Sequence, residues 1–143
     1  MSSQASVRPG PDRGALPGGG PAQRLATPRV LVVEDEMTVA MLIEDMVCEL
    51  NYEVAGVVSR LADAVEALEK DSFDLAILDV HLDGETVFPF AAELDRREIP
   101  YIFATAYGTR GIPAEYRQHT VLQKPFGPVE LRGALMLLAG TPR

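Results

Sequence analysis

Short, unbroken apolar runs alternate along this chain with longer stretches in which apolar residues recur every three or four positions. Val30-Leu31-Val32-Val33 is such a run, and it stops at Glu34-Asp35-Glu36. Val39, Leu42, Ile43, Met46 and Leu50 then follow at the spacing of one helix face. Asn51 suits the left-handed residue that ends a helix. Val54 to Val58 predicts a second strand, and Leu61, Val65 and Leu68 mark a second helix. Leu75-Ala76-Ile77-Leu78 predicts a third strand running into Asp79, and the turn at Gly84 leads to a third helix through Phe90, Ala91 and Leu94. Pro89 fits its first turn, where a missing N–H costs nothing. Tyr101 to Ala104, ending at Thr105, and Val121 to Gln123, ending at Lys124, predict the last two strands. A helix from Pro128 that buries Leu131, Leu135 and Leu138 follows them.

Strands without polar alternation are covered on both faces, and helices between them make crossovers. The pattern therefore predicts an α/β fold, a doubly wound, five-stranded parallel sheet with helices on both faces. Among the known doubly wound orders, 2-1-3-4-5 is preferred. Between Thr105 and Lys124, Gly108, Gly111 and Pro113 oppose a regular helix, so the fourth helix is expected to be short, displaced or irregular. Residues 1–28 are rich in Pro, Gly and Ser and read as a flexible tail, and 29–140 form the folded domain.

Composition narrows the function. The 143 residues carry a net charge of −8, which argues against a nucleic-acid surface. One cysteine, Cys48, excludes an internal disulfide framework and reads as a small hydrophobe in the first helix. No apolar window is long enough to span a bilayer and no secretory leader is evident, so a cytoplasmic protein is expected.

The chemistry lies at the strand ends. In an open parallel sheet, functional groups collect beyond the carboxyl ends of the strands. Those ends carry Glu34 and Asp35, then Asp79, Thr105 and Lys124. Any one of them reads as a solvated charge, but together they make three carboxylates, a hydroxyl and an ammonium. Clustered carboxylates either take up protons or hold a cation, and an all-oxygen set suits magnesium. A carboxylate oxygen can attack phosphorus, and the transferring phosphoryl group needs partners for three oxygens.

Val32-Val33-Glu34-Asp35, Ile77-Leu78-Asp79, Ala104-Thr105-Ala106 and Lys124-Pro125-Phe126 resemble the four signature blocks of the response-regulator receiver family. The resemblance covers residues 29 to 139. It implies a flavodoxin-like fold and a phosphoacceptor at Asp79, with Thr105 and Lys124 on the phosphoryl oxygens. Magnesium would be held by Glu34, Asp35, Asp79 and the backbone carbonyl of His81, and Lys124-Pro125 would be cis. The implied partners are a histidine kinase or histidine phosphotransfer protein and a downstream protein target, with no nucleic acid or membrane. The implied role is a phosphorelay switch, shuttle or sink that dephosphorylates itself slowly and is not an enzyme.

Three departures stand out. The acidic pair is Glu-Asp, Asp83 replaces a usual proline and suggests a looser loop, and Val121 replaces the usual aromatic switch residue. Phe103-Ala104-Thr105-Ala106-Tyr107 instead resembles a receiver subfamily with many stand-alone members, which makes Tyr107 the switch candidate. The helical pattern ends just before Arg143, so a receiver without a covalent output domain is expected. Two rival readings fit these residues less well. A phosphatase of the haloacid-dehalogenase type wants an aspartate where His81 stands, and a degenerate binding module would lack one of the key residues. Neither His81 nor His119 sits on a helical surface of the kind that presents a phosphohistidine.

Overall fold

The computed structural model describes residues 27–70 and 72–139. Nearly all of the expected tail, residues 1–26, lies outside them. Strands β1 (Arg29–Val33), β2 (Glu53–Val58), β3 (Leu75–Asp79), β6 (Tyr101–Thr105) and β7 (Val121–Gln123) form one parallel sheet in the order β2-β1-β3-β6-β7. Counted within the sheet alone, this is the expected 2-1-3-4-5. Helices α1 (Met37–Glu49), α2 (Leu61–Lys70), α3 (Phe88–Arg96) and α4 (Pro128–Ala139) cover it.

Period-two alternation divides the core in two. Leu31, Val33, Ala76, Leu78 and Phe103 face α2 and α3, against Ala64, Leu68, Phe90 and Leu94. Val30, Val32, Ile77 and Ile102 face the other way, against Ile43 and Val47 of α1 and Leu131 and Leu135 of α4. Both faces are dry, which is why these strands read as unbroken apolar runs. Asn51 has φ 71° just past α1, and Pro89 sits in the first turn of α3.

The buried faces of α1 and α2 differ from those the spacing predicts. Leu42 is 61% exposed and Val65 44%, although Leu42 falls on the apolar face that the spacing predicts for the first helix and Val65 is among the residues that mark the second. Ala40 fills the buried face of α1, and Ala64 and Ala67 that of α2. Small residues let these helices lie close to the sheet, and a count weighted toward large side chains misplaces the stripe. Cys48 is likewise exposed rather than packed.

Two local features decide the shape of the functional end. His81–Leu82 and Glu85–Thr86 pair as antiparallel β4 and β5, a hairpin absent from the predicted elements. Its turn, Asp83-Gly84, has φ 48° and 87°, the primed geometry that matches strand twist. The loop expected to be loose is a tight turn. Beyond β6, where a fourth crossover helix was doubted, two short 3-10 turns (Gly108–Gly111 and Ala114–Tyr116) carry the chain to β7.

Candidate functional site

β1, β3, β6 and β7 all deliver polar residues to the same end of the sheet. Glu34 follows β1 directly, and its N–H donates to the Val58 carbonyl at 2.9 Å, continuing the β1–β2 ladder. That backbone tie turns the Glu34 side chain inward, where it is 2% exposed. Asp79 is the last residue of β3, opposite Ala104, and is 7% exposed. Asp35 is fixed from across the cleft, because the Asp83 N–H donates to its Oδ2 at 2.9 Å. One oxygen from each of Glu34, Asp35 and Asp79 lies within 4.8 Å of the others.

A single ammonium opposes this negative charge at close range. Lys124 Nζ donates to Glu34 Oε1 at 2.8 Å and stands 3.2 Å from Asp79 Oδ1. Its N–H donates to the Thr105 carbonyl at 2.9 Å, and Lys124-Pro125 is cis, as the resemblance implied. Burial, reinforced by the Glu34 charge, pushes the Asp79 carboxyl up to about 7, against the pull of Lys124. For Lys124, burial works toward neutrality. The Glu34 hydrogen bond and the Asp79 charge outweigh it and hold the ammonium above its ordinary range.

The remaining candidates line the rim. Thr105 is buried, and its Oγ1 accepts the Tyr107 N–H at 3.1 Å rather than any bond from Asp79 or Lys124. Tyr107 is 54% exposed, so it does not serve as core covering. Its ring meets the imidazole of His81 edge to face, with centroids 5.9 Å apart. The site therefore joins Glu34, Asp35, Asp79 and Lys124 directly, while Thr105, Tyr107 and His81 form a second group beside them.

The donor set fits a hard cation. It consists of carboxylate oxygens, two of them on buried residues, with excess negative charge over the one ammonium. Sequence reasoning missed the Lys124–Glu34 pair, which spans 90 positions, and the hairpin that holds Asp35. Only the hairpin had a local signal, the Asp83-Gly84 dipeptide between short strands.

Known proteins agree with this geometry. The sequence profile of the response regulator receiver domain matches residues 30–136. The transcriptional regulatory protein PdtaR of Mycobacterium tuberculosis is 32% identical over 113 residues, which cover 76% of this chain and 55% of PdtaR. The chain thus spans about half the length of that relative. The solution structure of SdrG from Sphingomonas melonis Fr1 superposes with a TM-score of 0.73 at 38% identity, over 80% of this chain and 98% of SdrG. The receiver domain of the sensor histidine kinase PA1611 from Pseudomonas aeruginosa PAO1, solved with a magnesium ion in its active-site cleft, superposes with a TM-score of 0.67 at 26% identity. That match covers 81% of this chain and all of the other. Motif, topology and the acidic cleft converge with these matches, and the chain belongs to the response regulator receiver domain family of two-component signalling.

Proposed function

We propose that this receiver accepts a phosphoryl group on Asp79 from a histidine kinase or histidine phosphotransfer protein in the cytoplasm and passes the signal on through protein contacts. Receiver domains are phosphoacceptor switches, and the observation that carries the residue assignment is the buried Glu34–Lys124–Asp79 arrangement. A free Asp79 oxygen attacks phosphorus, the bond from phosphorus to the donor imidazole breaks, and that nitrogen keeps the electron pair. Lys124 moves from its carboxylate partners onto a phosphoryl oxygen. Thr105 donates its hydroxyl proton to a second, while its lone pair can still accept from Tyr107. Glu34, Asp35, Asp79 and the His81 carbonyl would hold magnesium, which when bound supplies positive charge to the carboxylates and the phosphoryl group. Hydrolysis of the acyl-phosphate returns the switch to rest, so the protein is a phosphoacceptor rather than an enzyme with a turnover substrate.

Labelled acetyl phosphate tests the assignment without knowledge of the partner. Wild-type protein should take up one label that hydroxylamine removes, and EDTA should suppress uptake. Asp79→Asn should remain folded and take up none. Undiminished labelling of Asp79→Asn would refute Asp79 as acceptor, and labelling indifferent to EDTA would refute the metal site. A panel of candidate kinases with labelled ATP then identifies the donor.

A further inference from the structure

Tyr101 is the bulkiest of the fully buried side chains, and it carries a hydroxyl that must find partners. It opens β6, at the opposite end of the strand from Thr105. Its oxygen lies 3.0 and 3.1 Å from the carboxylate oxygens of Asp95 on α3, and 2.9 Å from Nε2 of His119. An ionised carboxylate can only accept, so the phenol proton goes to Asp95 and the phenol oxygen accepts Nε2–H from His119. Burial, and then Asp95, hold the phenol well above its ordinary range, which keeps it a donor. The His119 ring also stacks on Tyr101, with centroids 4.4 Å apart.

This array fastens the far end of the 106–119 segment. The near end is fastened where the Tyr107 N–H meets Thr105 Oγ1. Tyr101, Phe103 and Thr105 share one face of β6, so both fastenings lie on one row of side chains. Phe103, between them, meets both Tyr116 and His119 edge to face at 6.0 Å. Between the fastenings the segment runs through two 3-10 turns, which are held less firmly than a helix, with Ile112 buried in the core and Tyr116 stacked on Phe88 of α3.

We propose that the Asp95–Tyr101–His119 array is a latch that holds the 106–119 segment in its resting arrangement and opposes the rearrangement driven through Thr105 when Asp79 is phosphorylated. This rests on the reading of Asp79 as phosphoacceptor. A latch that is made in one state and broken in the other is coupled to the site, and the coupling is reciprocal. Removing the latch must then tighten binding of a phosphoryl mimic.

The test titrates wild-type protein and Tyr101→Phe with beryllofluoride and magnesium, followed by fluorine NMR, while nitrogen NMR follows the His119 ring. Tyr101→Phe keeps the ring and loses the hydroxyl, and it should bind the mimic roughly fivefold more tightly. An affinity unchanged within twofold, or weakened, overturns the latch while the phosphoacceptor reading stands. If wild type fails to bind beryllofluoride, both fall. Should Tyr101→Phe not fold, the wild-type His119 Nε2–H decides. Its solvent-protected signal should be present in the free protein and lost at saturation, and a signal that persists overturns the latch.

Discussion

Asp79 is pulled two ways. Lys124 at 3.2 Å favours its charge, while burial and the Glu34 carboxylate oppose it and win, lifting the group from 3.8 to about 7. The unfolded chain releases this proton near 3.8 and the folded one near 7, so between these values the folded state binds more protons. The contribution of Asp79 to stability therefore falls as pH rises through that window and stays low above it. Asp79→Asn removes the penalty. In the metal-free protein this variant should melt higher than wild type at pH 8, on the order of 4 °C, with a smaller gain at pH 5. Thermal melts followed by circular dichroism check this, and an equal gain at both pH values would refute it. Saturating magnesium should shrink the gain at pH 8, since the cation relieves the same repulsion.

At the scale of an element, the β4–β5 hairpin matters most to the site. Its turn needs two successive positive φ values, and Gly84 at 87° supplies the one that side chains tolerate least. A methyl group there would meet nothing within 4 Å, so the cost of Gly84→Ala is backbone strain alone, about 1 kcal/mol. The same strain disturbs the Asp83 N–H that orients Asp35. Gly84→Ala should therefore both destabilise the domain and weaken magnesium binding, measured by calorimetric titration. Gly133→Ala is the matched control. Gly133 lies inside α4 with equally open space, and alanine there should stabilise by about 0.8 kcal/mol and leave the metal site unchanged. If the two variants shift stability in the same direction, the turn geometry is not what limits Gly84.

Across the whole molecule, the proposed function requires information to travel from Asp79 to a surface that a partner can read. Val121 cannot act as a rotating aromatic, whereas Tyr107 is exposed, leans on His81 and donates its N–H to Thr105. Beryllofluoride should change amide exchange across residues 106–119, slowing it where the loop orders beside Thr105 and speeding it at His119, where the latch opens. Tyr107→Ala should change the lifetime of the phosphoryl group or partner binding, while initial labelling persists. Exchange indifferent to the mimic, together with a variant that behaves as wild type, would place the switch elsewhere. Among the described residues no helix is long and apolar enough to cross a membrane.

The strand order was a choice among the known doubly wound arrangements, whereas the strands and the five polar residues at their carboxyl ends were legible in the sequence. Each depends on a short local pattern: an unbroken apolar run because both faces are covered, and a polar residue where the run stops. The broken fourth helix was legible for the same reason, since glycine and proline act on their own backbone. Helix faces were legible only in part, because the burial of Ala40 and Ala64 and the exposure of Leu42 and Val65 depend on how closely a helix approaches the sheet. The tertiary structure alone decided three things: that Lys124 pairs with Glu34, that the hairpin reaches back to hold Asp35, and that Asp95, Tyr101 and His119 share one proton network. All three join residues from separate elements, and such distances are set by packing and by no periodicity along the chain.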